Sequence, residues 1–154
     1  MLKPFLAGTL VAGTLDILFA AILSVVFGRG PANMLRFVAS GPFPDATNWG
    51  AMGSALGLVV HFTLMAIMVG AWVLLAARTP ALAAQPLKGA VIFGLVTYVA
   101  MNLIVVPLRF PAAFPPSAMS IGTQLFAHLV LVGLPVAWIT ATMLRGRIGG
   151  AVPA

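Results

Sequence analysis

GLVVHFTLMAIMVGAW, residues Gly57 to Trp72, carries one ionisable side chain, His61, among apolar residues, two glycines and a threonine. Extended in both directions, the tract from 46 to 77 holds no Lys, Arg, Asp or Glu. About 20 apolar residues cross the hydrocarbon core of a bilayer as a helix, so this tract decides the class of the protein. Residues 89–108 and 110–144 are equally free of charge, and between Lys3 and Arg29 the only charge is Asp16. The pattern predicts four spans, at about 5–28, 50–77, 88–108 and 118–144. The first is read as a retained span, not a signal peptide, because it is long, carries Asp16 and lacks a small-residue cleavage site.

Composition agrees. The chain is 62% hydrophobic and 6% charged, with mean hydropathy +1.14, whereas soluble domains carry about a quarter charged residues. Its 154 residues fit one membrane domain, 1–154, and leave no room for a soluble one. Without Cys there are no disulfides, thiolate metal sites or cysteine nucleophiles; without Glu, the side-chain carboxylates are Asp16 and Asp45. The net charge of +6 comes from eight Lys and Arg scattered singly between apolar segments, which speaks against nucleic acid.

Four spans put both termini on one side, with Lys3, Arg78, Lys88, Arg145 and Arg147. The other side has Arg29, Arg36 and Arg109. Five against three favours cytoplasmic termini. Trp49, Trp72 and Trp138 fall towards span ends, as in an aromatic belt. In the outer loop RGPANMLRFVASGPFPDATNW, Pro31 suits a first helical turn and Gly41-Pro42 a stop. The expectation is a short interfacial helix at about 31–40, lying on the membrane or dipping into it. The fold class is therefore all-α, a polytopic membrane protein built as a four-transmembrane-helix bundle.

Polar residues are few, and their depths coincide. At 1.5 Å per residue, Asp16, His61, Asn102 and His128 each fall roughly 9–18 Å beneath the outer end of their span. Spacings of three, four and seven add neighbours on the same faces: Thr9 and Gly13 before Asp16, Ser54 and Gly57 before His61, Tyr98 and Arg109 around Asn102, Gln124 before His128. Gly8 with Ala12, and Gly53 with Gly57, permit close approach of backbones. His-containing segments in spans two and four share a Gly and an Ala-Trp, a weak parallel repeat.

Three readings follow. Intramembrane ionisable groups are costly and usually serve a function. Asp16, His61, Asn102 and His128 would then line a pocket open to the outer face, walled by Tyr98, Gln124 and Arg109, that binds a small ligand or relays protons. Alternatively His61 and His128 are axial ligands of a haem b in an electron-transfer protein. In the third reading the cluster only fixes helix packing in a structural or accessory subunit, at about 0.6–2 kcal/mol per interhelical bond. Met65 and Met68 read as gap-fillers, with no metal site assigned, and Pro107 and Pro135 as kinks. No nucleophile–base spacing or strong metal-ligand set argues for an enzyme.

The segments AGTLDIL, GLVVHF, YVAMNLIVVPL and AHLVLVGLPVAW resemble a group of small four-span bacterial inner-membrane proteins with no assigned activity. The resemblance, from about Ala7 to Trp138, implies the topology and a bacterial inner-membrane location, and transfers no functional residue. The size also matches the membrane-associated eicosanoid and glutathione metabolism family. That family's glutathione site uses Arg, Asn and Glu, and a chain without Glu does not match it. The lipid bilayer is the expected partner, with a homo-oligomer or larger membrane complex as the setting for so small a bundle.

Overall fold

The computed structural model describes the backbone of residues 1–149 and the side chains of residues 1–144. Arg145 and Arg147, counted above on the terminal side, lie outside the described side chains. The structure is 88% helical, with no strand among the described residues. Its four long apolar helices make the chain an integral membrane protein. They are α1 (Leu2–Val26), α3 (Gly50–Arg78), α5 (Pro86–Arg109) and α6, whose span is Ala118–Leu144. Between the first two lies α2 (Pro31–Ala39), and between the next two α4 (Pro80–Ala84). Proline opens α2, α4 and α5, where its missing N–H costs no helical bond. Ser117 caps α6, its hydroxyl accepting from the Ser120 amide at 3.2 Å.

The spans run alternately up and down, so the bundle has a terminal end and a distal end, the latter carrying α2 and the Phe110–Ser117 connection. α3 packs on α1, while α6 packs along both α1 and α5. That makes α6 the central span: 44% of its most apolar stretch is buried, against 22–28% for the others. Val69 of α3 and Val132 and Val136 of α6 are sealed inside, filling the terminal half with Ala12, Phe93 and Trp72. Outside, Leu10, Ile22, Val59, Ile67 and Val96 are exposed, a surface that suits lipid and not water.

Two expectations need correction. Trp72 is not an interfacial anchor. It is 4% exposed and packs on Phe93 with ring centroids 5.2 Å apart, because at this helix position α3 faces α5 across the core. Trp49 and Trp138, at 43% and 54%, are exposed near span ends as an aromatic belt requires. The pair Gly53–Gly57 receives no neighbouring span. A Cβ on Gly57 would strike the Leu35 backbone, and one on Gly53 the carbonyl of Ala46. The glycines thus seat the connecting segment and α2 against α3, and Ser54 Oγ reinforces the seat by donating to the Ala32 carbonyl at 3.1 Å.

Pro107 and Pro135 do more than kink their helices. Immediately before each, the chain winds as π-helix, over Val99–Val105 and Ala127–Gly133. A proline clashes with the carbonyl four residues back and offers it no donor; widening the preceding turns to i→i+5 bonds relieves both problems.

Gly57→Val is expected to lower the unfolding free energy of the purified protein by about 1–3 kcal/mol, the usual cost of overpacking. Gly122→Ala, where an added Cβ meets nothing within 4 Å, should cause no loss. Chemical unfolding in detergent, followed by circular dichroism, compares the two.

Candidate functional site

The distal half of the bundle holds a cavity of about 210 Å³. Asp16 of α1, His61 of α3, Asn102 of α5, and Gln124 and His128 of α6 all line it. At about 30 Å³ per liquid water, it has room for roughly half a dozen solvent-sized groups. Its remaining walls are apolar, and among them Met65 and Met68 stand beside His61.

The backbone dictates the polarity of each imidazole. His61, 9% exposed, places Nε2 at 2.9 Å from the Gly13 carbonyl of α1. A carbonyl can only accept, so Nε2 carries a proton and donates it. The other nitrogen, Nδ1, lies 3.9 Å from Asp16 Oδ2. At that separation the two interact as charges or through an intervening small group, not by a direct hydrogen bond. The pair thus sets a carboxyl group beside the one imidazole nitrogen that the backbone leaves free.

His128 shows the same arrangement with its nitrogens exchanged. Its Nδ1 donates to the Gln124 carbonyl one turn back, at 2.9 Å, which leaves Nε2 with no partner among the described residues. Tyr98 packs edge-on against this ring, with centroids 5.8 Å apart. At 8% exposure it stands behind His128 and does not line the cavity. Asn102 donates from Nδ2 to the Tyr98 carbonyl at 3.3 Å, so its Oδ1 is the atom left to accept from a cavity occupant.

Arg109 is not at the cavity wall. Its Nε donates to the Gly41 carbonyl at 2.6 Å and its Nη2 to the Ser40 carbonyl at 2.8 Å. These are carbonyls at the C-terminal end of α2, which lack helical partners and attract cations. Phe110 completes the clasp, stacking on Phe37 of α2 at 4.5 Å and lying 5.1 Å beneath the Arg109 guanidinium. Thr9 is buried too deep towards the terminal end to reach the cavity, and its Oγ1 has no partner among the described residues.

A fifth wall was not foreseen. Met34 and Val38 of α2 both line the cavity. They are four residues apart and so share one helix face, a signal present in the sequence that gains meaning only once α2 lies on the glycines of α3. Among the described residues, no group of three His, Asp or Glu side chains converges to hold a metal ion. No protein-family description, curated protein or solved structure matches the chain.

Replacing Arg109 by Met removes two charge-assisted hydrogen bonds, each about 1.5–3 kcal/mol. Amide hydrogens of α2 should exchange about a hundredfold or more faster in Arg109→Met, with the four spans unchanged. Hydrogen exchange read by mass spectrometry resolves the segment.

Proposed function

We propose that the protein takes a small polar ligand into this cavity from the distal face, with proton exchange at Asp16, His61 and His128. The observation that carries the proposal is the pairing of donor and acceptor roles. Each imidazole has one nitrogen committed to a backbone carbonyl, and Asp16 stands 3.9 Å from the nitrogen that His61 leaves free. A ligand entering such a site meets acceptors at Asn102 and His128 and a carboxyl–imidazole pair that can give or take one proton. The sealed layer of Val69, Val132 and Val136 supports access from one end only, and so a binding site more than a through-channel. We further propose that the distal end is the periplasmic face of a bacterial inner membrane, with both termini cytoplasmic. That orientation rests on the five-to-three count of basic residues.

Haem does not fit these residues. His61 would have to release the Gly13 carbonyl or ligate through the nitrogen that faces Asp16. The cavity is also smaller than the roughly 300 Å³ at which drug-sized ligand pockets begin. Protein purified from haem-replete cells should be colourless and lack a Soret band.

Because the chain has no cysteine, single-cysteine variants report accessibility without background. Asn102→Cys should react with a small water-soluble thiol reagent supplied from the distal side, and Val136→Cys from neither side. In pH-difference infrared spectra the carboxyl band should vanish in Asp16→Asn and shift in His61→Gln, while both variants melt within a few degrees of the parent. An unreactive Asn102→Cys together with a carboxyl band insensitive to pH would reduce the cluster to interhelical packing.

A further inference from the structure

Above the cavity, at the distal end, a wider cleft of about 710 Å³ opens between α1, α2 and the start of α6. It is lined by both Arg29 and Arg36 and, on its apolar side, by Leu23 and Phe27. In a chain so poor in charge, two guanidinium groups at one cleft need an explanation. Neither is neutralised: among the described residues the sole acid–base contact is that of His61 with Asp16. Arg36 donates to Asn33 Oδ1, a neutral acceptor. That bond fixes the Asn33 side chain with its amide nitrogen left as a further donor, and the Ser120 hydroxyl is also without a partner among the described residues. The cleft therefore offers two positive charges and two neutral donors, with no carboxylate to oppose an anion.

The placement narrows the ligand. Arg29 follows the end of α1 by three residues, at the level where a lipid headgroup begins. Guanidinium forks bind phosphate oxygens in a bidentate manner. Phe27 is 55% exposed beside them, an apolar surface that a free inorganic anion would leave uncovered and an acyl chain would cover. We propose that this cleft binds the headgroup of an anionic phospholipid, its phosphate between Arg29 and Arg36 and its acyl chains along Leu23 and Phe27. The cleft adjoins the proton-exchanging cavity, but the inference rests on the cleft alone, and its readout involves no proton titration. Failure of either reading leaves the other standing.

The full-length protein in nanodiscs or detergent serves as the test. Native mass spectrometry should show phosphatidylglycerol retained over phosphatidylcholine, whose quaternary ammonium group the two arginines repel. Arg29→Gln combined with Arg36→Gln should weaken phosphatidylglycerol retention about tenfold or more, and Lys3→Gln with Lys88→Gln, at the terminal end, should not. Should the arginine variant misfold, a Ser120→Cys protein keeps both arginines. Its labelling should be severalfold slower in phosphatidylglycerol nanodiscs than in phosphatidylcholine ones. Equal retention and equal labelling with the two lipids would overturn the proposal. So would displacement of phosphatidylglycerol by inorganic phosphate at matched concentration, which would mark a site for the free anion.

Discussion

Inside hydrocarbon there is no water for a polar group to pair with, and this constraint governs most polar side chains of the spans, with Thr9, Trp72 and Thr140 buried without a hydrogen-bond partner among the described residues. Thr63, Thr97, Thr123 and Thr142 each return their hydroxyl to the carbonyl four residues back. Asn102 and His128 do the same with side-chain nitrogens. Such bonds satisfy the side chain on its own helix and tie nothing together. Among the described residues, the only side-chain hydrogen bond that joins two spans is that of His61 with the Gly13 carbonyl. It fixes the register of α3 against α1, and in doing so brings the free nitrogen of His61 to Asp16. The structural and the functional readings of the cluster thus share one bond. An interhelical contact of about 0.6–2 kcal/mol is the positioning device for the carboxyl–imidazole pair.

The same constraint explains the third and fourth spans. Pro107 and Pro135 deprive Leu103 and Leu131 of their usual amide donors, and the wide turns before each proline repair the loss. Asn102 and His128 both sit in those wide turns. Over seven residues an ideal helix of 3.6 residues per turn falls only about 20° short of two full turns, and a chain wound more widely falls well short of them. The i+7 spacing that puts Arg109 on the face of Asn102 in an ideal helix therefore fails here. Arg109 swings away from the cavity and meets the carbonyls of Ser40 and Gly41 instead. His128 and Gln124, only four apart across the start of the wide turn, stay on one face and both reach the cavity.

This separates what was legible in the sequence from what was not. The spans were legible because hydrocarbon thickness fixes the length of an uncharged tract, and four such tracts stand out. Depth was legible because rise per residue varies little, so Asp16, His61, Asn102 and His128 fell at one level from counting alone. Azimuth was legible where the helix kept its period, as for Gly13, Asp16 and His61, and over the single turn from Gln124 to His128. It failed for Arg109 beyond the wide turn. For Tyr98, spacing gave the face but not that the ring lies behind His128. Long-range seating was not legible either. Gly53 and Gly57 carry the spacing of span-to-span contact, and nothing local says that a returning loop takes their place. Trp72 likewise lies near the end of its span in sequence, and only the approach of α5 makes it core.

The element that this seating brings into play is α2. Its Met34 lines both the inner cavity and the outer cleft, as do Leu23 and Ala20 of α1 and Gln124 of α6. The partition between the two spaces is therefore built from these four side chains. One is an unbranched thioether with three rotatable bonds, and another is an amide that carries both a donor and an acceptor. Such a partition differs from the terminal half of the bundle, where β-branched valines are sealed against one another. Rigidity and adaptability are thus segregated along the membrane normal. The stiff layer blocks one end of the cavity, and the soft partition faces the other. What holds α2 over that partition is the Arg109–Phe110 clasp at the end of α5, beyond the π-wound turn that also carries Asn102. A single span therefore supplies both an acceptor at the cavity and the fastening of its cover, and any change in the winding of Val99–Val105 acts on the two together.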